Sequence, residues 1–382
     1  LSKRKYNDGI LNGQYLDYYK NGQLNNKKHY KDGKLEGEYL TFHEYELNQK
    51  VQLKVKSFYK NGKLEGEYLE YNEQGTLIGK GFYVNGRLEG EYYKGKVRDN
   101  YFSEDKITMI TSDRVSAFDC VLGTIPFKGQ ILTEIAKFWF DKTKHIIPNH
   151  IISQPDPQVL ITKRAKTLPV EVIVRQYITG SLWREYSSGV NGQYGFDLPN
   201  NLKENQKFDS LLLTPTTKAE YGMHDEPISR DEIIDNLVDK DVYEKVEQYS
   251  LELFKAGQEW ASQRGLILVD TKYEFGIYND EIIIIDEIHT PDSSRFWVAD
   301  SYDELYASGK KQKMLDKENL RHWLIDKGFS GEGQPPVLDD DIRMLLSQKY
   351  IELYEKLTDK KFEPKIGDVK NRIENNLIKI NV

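Results

Sequence analysis

Three carboxylates and a lysine fall close together in the stretch "LVDTKYEFG" (268–276) and the run "IIIIDE" (282–287) after it: Asp270, Lys272, Glu274 and Asp286. Residues 282–285 are β-branched and apolar, as expected of a strand covered on both faces, and the run stops at Asp286 and Glu287. Residues 266–269 read as a neighbouring strand that gives way to Asp270, Lys272 and Glu274 in the same manner. Glu274 and Asp286 are 12 residues apart, which suits a hairpin that brings both carboxylates to one place. Two carboxylates beside a lysine at the edge of a dry sheet supply hard oxygen ligands for a metal and a cation for phosphate. Those are the needs of a magnesium–nucleotide site. A sheet edge with ordinary solvated charges would carry the same residues.

Four further segments concentrate polar groups. In "GKVRD" (95–99) a glycine permits close approach, and strand alternation puts Lys96 and Arg98 on one face, as a phosphate-binding strand-turn would. A Gly-Lys pair on a solvated edge is the commoner case. "TSDRVSAFD" (111–119) sets Asp113, Arg114, Ser116 and Asp119 around a small apolar centre, as a binding loop or as a structural loop with internal ion pairs. "PVEVIVRQYITGS" (169–181) reads as a strand ending in Arg175 and a turn at Gly180-Ser181. A guanidinium, a hydroxyl and turn amides converging there would suit a phosphate monoester, although Gly180-Ser181 also fits a cap for a helix over 182–186. "TPTTK" (214–218) with His224 and Asp225 forms a polar loop cluster, and Arg295 follows the carboxylate strand. A lone histidine such as His224 is more often packed or solvated than catalytic.

The elements that must position these groups lie in a chain of 382 residues, long enough for two domains. Charged residues make up 30% and hydrophobic ones 38%, an ordinary globular balance. The formal net charge of −7 argues against a general nucleic-acid or anionic-membrane binder, so any bound anion must be held by a local cluster of Lys and Arg. One cysteine, Cys120, excludes an intrachain disulfide and fits a reducing compartment, and the seven histidines lack zinc-site spacing. There is no apolar run of membrane-spanning length, and the opening "LSKRK" lacks the apolar core of a signal peptide. The expectation is a cytoplasmic protein without membrane association; a start on Leu1 rather than Met leaves room for residues upstream.

Two grammars divide the chain. The first ninety residues repeat the pattern Gly, apolar, Gly, Tyr at steps of two: Gly9-Leu11-Gly13-Tyr15, Gly33-Leu35-Gly37-Tyr39, Gly62-Leu64-Gly66-Tyr68 and Gly86-Leu88-Gly90-Tyr92. Asn-Gly and Asp-Gly supply the positive φ of tight hairpin turns, and the flanking Leu and Tyr alternate as strands do. One hairpin cannot bury its own face but stacked ones can, so an all-β module of stacked hairpins over 1–92 is expected, its tyrosines serving packing. From 93 to 382 strand and helix patterns mix, an α+β grammar, with long amphipathic helices expected within 232–263 and over 339–357.

The repeats resemble MORN-type repeats, with "YKNGKLEGEYLEY" (59–71) the clearest copy. That resemblance implies an interaction or tethering module for a protein partner. The second half is similar to the SAICAR synthetase family through seven segments in the family's order: "GKVRDNY", "TSDRVSAFD", "IPFKGQILT", "PVEVIVRQYITGSLWREY", "KAEYGMHDEPIS", "LVDTKYEFG" and "DEIHTPDSSRFW". The later "DKENLRHWL" and "YIELYEKLT" look like the longer form of the family. The resemblance implies a two-lobed, ATP-grasp-related α+β fold and ligation of L-aspartate to carboxyaminoimidazole ribotide with ATP and Mg2+. By position it implies Lys96 and Arg98 at the ATP phosphates and Lys163, Thr167 and Leu168 bordering the adenine. Glu274 and Asp286 would hold magnesium with Lys272 nearby. Arg175, Ser181 and Arg295 would grip the ribotide phosphate, with Lys218 and Asp225 near the imidazole and its carboxylate. Asp113 and Ser116 are implied at the substrate rim. A small-molecule kinase with a comparable acidic pair is the competing enzyme reading, and an inert scaffold the competing non-enzyme one.

Overall fold

The computed structural model describes residues 2–44, 52–75, 77–218 and 225–380. Two compact units divide the chain, Leu1–Met109 and Ile110–Val382. Among the described residues no helix is long and apolar enough to cross a membrane.

In the first unit, antiparallel strands lie side by side in sequence order, from Gly13–Tyr18 and Leu24–Lys31 through Gly37–Phe42, Leu53–Lys60, Gly66–Tyr71 and Leu77–Val84 to Arg87–Lys94 and Arg98–Phe102. Turns at Asp32-Gly33, Asn61-Gly62 and Asn85-Gly86 have both residues at positive φ, the geometry that matches strand twist in a two-residue hairpin. Each of these glycines donates its amide to a leucine carbonyl one hairpin earlier: Gly33 to Leu11 (2.9 Å), Gly62 to Leu35 (2.8 Å) and Gly86 to Leu64 (2.8 Å). On one face tyrosines pair edge-on across strands, Tyr15 with Tyr30, Tyr39 with Tyr59 and Tyr68 with Tyr83. They pack as expected but remain half-buried. The opposite face carries a transverse row in which Leu16, Lys27, Leu40, Lys56, Leu69 and Lys80 stand opposite one another in turn.

The second unit is built around a six-stranded antiparallel sheet: β1 (Lys166–Tyr177), β2 (Lys207–Leu213), β3 (Thr216–Thr217), β4 (Leu266–Tyr278), β5 (Glu281–Ile285) and β6 (Ser294–Val298). β4 pairs with β1, β5 and β6, and β1 also holds β2 and β3. The strands run further than their apolar stretches foretold. The strand expected to end in Arg175 runs from Lys166 to Tyr177, and that over 266–269 continues to Tyr278, so Asp270, Lys272 and Glu274 lie within β4 rather than beyond its end. Asn279 and Asp280, both at positive φ, close a two-residue turn into β5, so the expected hairpin forms.

Alternation then sorts the side chains. Val170, Val172 and Val174 of β1 and Tyr273 and Phe275 of β4 enter the main core with Val246, Leu253, Phe254 and Ala261 of the helix Lys240–Ser262. A register shift between Leu268 and Asp270 changes the phase, so Leu266 and Leu268 also reach that core. Full burial of each such side chain contributes about 1.5–3 kcal/mol. The helix expected within 232–263 is interrupted: Arg230–Asn236 ends before Lys240–Ser262 begins, because Asp239 caps the second helix by accepting from the amides of Asp241 and Val242. Asp340–Thr358 matches the second expected helix and is capped by Asp339. Its Ile342 and Leu346 join Leu320 and Leu324 against Val115 and Ile125 in a smaller core.

Candidate active site

Five charged residues of β1 and β4 share the face that the core does not use. On β4 they are Asp270, Lys272 and Glu274, two apart; on β1 they are Glu171 and Arg175. The register places Glu171 opposite Glu274, and Arg175 opposite Asp270. Asp270 is also opposite Arg295 of β6. Glu274 is opposite Ile285, the residue before Asp286. Two clusters, four residues apart along β4, follow from that alignment alone.

At the first, Lys272 bridges three carboxylates. Its Nζ donates to Glu171 Oε1 at 2.9 Å, pairs with Glu274 and lies 3.8 Å from Asp286 Oδ2. Lys218 pairs with the other oxygen of Glu274. Burial alone would raise the Glu274 carboxyl, but the ammonium groups of Lys272 and Lys218 hold it well below the usual carboxylate range. Burial, opposed by Lys272 and reinforced by Glu274, pushes Glu171 up to about 7. Three carboxyl groups face two ammonium groups, and every possible metal ligand among them is a hard carboxylate oxygen. Such a set suits a divalent hard cation such as Mg2+. The Lys272 ammonium now stands between those oxygens, and among the described residues no three His, Cys, Asp or Glu groups form a ready-made metal cage.

The second cluster is an arginine pair around Asp270. Arg175, almost wholly buried, donates Nε to Thr214 Oγ1 at 2.8 Å, Nη1 to Asp270 Oδ2 at 3.1 Å and Nη2 to Ser181 Oγ at 3.3 Å. Arg295 donates Nη1 to Asp270 Oδ2 at 2.5 Å and Nη2 to Glu318 Oε2 at 3.1 Å. Glu318 is placed by Asp316, whose carboxylate accepts the amides of Phe296 and Glu318, each at 2.8 Å. Ser181 does not cap the helix as its sequence position allowed. It lies inside the first turn of Gly180–Ser187, whose N-cap is Thr179, and faces Arg175 instead.

Gly180 explains how the helix reaches so close. Its φ is +61°, and a Cβ there would lie 2.1 Å from Arg295 Nη2 and 2.5 Å from its Cζ. Gly180→Ala should lower stability by about 1–3 kcal/mol through backbone strain and overpacking, measured as the midpoint of denaturant unfolding. An unmoved midpoint would mean that the turn gives way freely.

Other expected site residues are placed as follows. Lys96 lies in the turn between Arg87–Lys94 and Arg98–Phe102, closed by the Gly95 amide donating to the Arg98 carbonyl at 2.7 Å. Lys163 donates to the Asn149 carbonyl at 3.1 Å and approaches the Tyr278 ring. Thr167 is exposed opposite Gly276, whereas Leu168 is buried in the core. Asp113 accepts the Gly129 amide at 2.8 Å and so holds the start of the helix Lys128–Thr143; Ser116 sits in a short hairpin opposite Val121. Asp225 is exposed beside β3, and His224 lies outside the described residues. The sequence reading missed Glu171 and Glu318. The alternation of Glu171 with Arg175 on one strand face was the available signal for the former.

The model of the SAICAR synthetase family matches residues 91–336. A phosphoribosylaminoimidazole-succinocarboxamide synthase of Bacteroides thetaiotaomicron is 48% identical over 292 residues, covering 75% of this chain and 93% of the relative. The chain belongs to the SAICAR synthetase family. The corresponding synthase of Cytophaga hutchinsonii is also 48% identical, over 75% of this chain and 94% of its own length. Among solved structures, the SAICAR synthase from Saccharomyces cerevisiae complexed with SAICAR aligns with a TM-score of 0.61 at 35% identity, covering 71% of this chain and 95% of that one. A SAICAR synthetase in complex with ADP aligns at 0.55 and 27% identity, over 71% and 99%. SAICAR synthetases are ligases of purine biosynthesis, and that is the activity of this chain. The first ninety residues lie outside the stretch matched by the family model.

Proposed function

We propose that the chain joins L-aspartate to the carboxylate of carboxyaminoimidazole ribotide, converting ATP to ADP and phosphate and yielding SAICAR. A carboxylate is a poor electrophile, so it must first be activated. The γ-phosphoryl group passes to a ribotide carboxylate oxygen, giving an acyl phosphate and ADP. The aspartate amine then attacks the acyl carbon, loses its proton, and phosphate leaves as the amide forms. The observation that carries this reading is the pair of clusters on one sheet face, a carboxylate–lysine set four residues from an arginine pair.

Each step crowds negative charge, and at an effective dielectric of about 20 two like charges ~4 Å apart repel by about 4 kcal/mol. A net-acidic chain must offset this locally. Arg175, Ser181 and Arg295 would hold the ribotide phosphate, and Lys218 with Asp225 would orient its imidazole and carboxylate. Lys272 would stand at the transferring phosphoryl group. Lys96 and Arg98 would meet the ATP phosphates, with Lys163, Thr167 and Leu168 along the adenine. Glu274 and Asp286 would hold magnesium, which when bound draws charge from the phosphate oxygens. Asp113 and Ser116 would border the aspartate substrate. The likeness to structures named for bound SAICAR and ADP supports the substrate assignment.

We further propose a division at residue 92, with 1–92 a MORN-like module that tethers the enzyme to a protein partner and 93–382 an ATP-grasp-related catalytic domain working in the cytoplasm. The recurring glycine-to-leucine hydrogen bonds between successive hairpins support the repeat reading. The testing experiment is ADP release with Mg2+, ATP, ribotide and L-aspartate, omitting one component at a time. Turnover requiring all four is expected. Release without aspartate would indicate a kinase, and none under any condition an inert scaffold.

A further inference from the structure

The loop between β5 and β6 carries Asp286 at one end and leads to Arg295 at the other, so one segment serves both clusters. Its backbone is not relaxed: Asp286 and His289 hold φ of +65° and +51°. Non-glycine residues keep such a conformation only where the surroundings over-determine it. Near the end of this loop, two residues before β6, stands Asp292, on which three separate elements converge. Lys128, wholly buried at the start of the helix Lys128–Thr143, places Nζ 2.8 Å from Asp292 Oδ2. Tyr350, from the helix Asp340–Thr358, donates its hydroxyl to Oδ1 at 2.8 Å. Lys317, preceding the helix Glu318–Asp326, has its Nζ 3.4 Å from Oδ2 and donates its amide to the Pro291 carbonyl at 3.1 Å. Glu318, the next residue, is the partner of Arg295.

A buried ion pair of this kind is poor evidence for stability, since apolar residues of equal volume commonly do as well. It does fix direction, because a carboxylate held by two ammonium groups and a tyrosine hydroxyl tolerates fewer geometries than an apolar contact. We propose that Asp292 is a positioning residue for the ligase reaction: anchored by Lys128, Lys317 and Tyr350, it sets Asp286 and Arg295 in register with each other. This rests on the roles assigned above to those two residues. It differs from a role in either cluster alone, because loss of the anchor must weaken both together.

The test compares Asp292→Asn with the quadruple variant K128M/D292L/K317M/Y350F, which replaces the node by apolar groups of similar size. Mispositioning through a supporting shell costs about 10–100-fold. For Asp292→Asn the KM values for ATP and ribotide, and the Mg2+ concentration for half activation, should all rise by about tenfold or more. In the quadruple variant the melting temperature should return to that of the unsubstituted protein while those three constants stay raised. Unchanged constants in Asp292→Asn, or their recovery together with the melting temperature in the quadruple variant, would overturn the proposal. Should Asp292→Asn not fold, the quadruple variant decides. Absence of four-component turnover in the unsubstituted protein would instead reject the reaction, and calorimetric affinity for Mg2+ with ADP would then judge the node, equal affinity in the quadruple variant counting against it.

Discussion

Asp286→Asn is expected to lower kcat by about 10²–10³, the usual cost of removing one well-placed stabiliser of developing charge, without unfolding the protein. Asparagine is the right replacement because Asp286 sits at φ +65°, a region in which asparagine is readily accommodated and alanine is strained. Asp286→Ala should lose at least as much turnover, with a small additional loss of stability. The fold is expected to survive because Asp286 is one of three carboxylates facing two lysines. Its removal leaves Lys272 paired with Glu171 and Glu274, so no buried charge is stranded. Glu274 is the contrasting case: both lysines depend on it, so Glu274→Gln should lose stability as well as activity. Steady-state ADP release at saturating substrates, with thermal unfolding measured on the same preparations, checks this. Near-normal turnover in Asp286→Asn would sink its assignment to the metal, and a large loss of melting temperature would show that the carboxylate is structural.

Much of this arrangement is legible in the sequence, and the rest is hidden for identifiable physical reasons. Hairpins in the first ninety residues follow from Asp-Gly and Asn-Gly turns, because few other pairs enter the left-handed region cheaply. The junction of β4 and β5 was readable from the isoleucine run and the spacing of Glu274 from Asp286. What misled was the assumption that a charged residue ends a buried strand. Arg175, Asp270, Lys272 and Glu274 lie inside continuous strands because each has an oppositely charged partner beside it, so pairing replaces solvent. Glu171 was passed over for the same reason: among "VEVIV" it looks like an incidental polar residue until the register sets it opposite Glu274. Glu318 could not be found from spacing, since its contact with Arg295 spans 23 residues and depends on Asp316 turning the chain. Nor could the joining of Lys128, Asp292 and Tyr350, which comes from tertiary packing of helices distant in sequence.

Arg175→Ala should raise the ribotide KM by about 10²-fold while leaving the ATP KM within a few-fold. Losing one bidentate, charge-assisted contact to a phosphate monoester removes about 1.5–3 kcal/mol, and tenfold in affinity corresponds to about 1.4 kcal/mol. Selectivity for the ribotide follows from place. Arg175 is opposite Asp270, four residues along β4 from Glu274, and its three hydrogen bonds go to Thr214, Asp270 and Ser181 rather than to the lysine–carboxylate set. The same contacts warn that Arg175→Ala leaves Asp270 buried with Arg295 alone. Arg175→Lys is therefore the control: it keeps the charge near Asp270 but cannot reproduce the planar fork of a guanidinium. The lysine variant should retain most of the stability of the unsubstituted protein and still show a raised ribotide KM. Substrate-saturation curves for ATP and for ribotide, each at saturating levels of the other, separate the effects. Equal weakening of both substrates in Arg175→Lys would reject a phosphate-clamp role for Arg175 and shift the ribotide site away from β1.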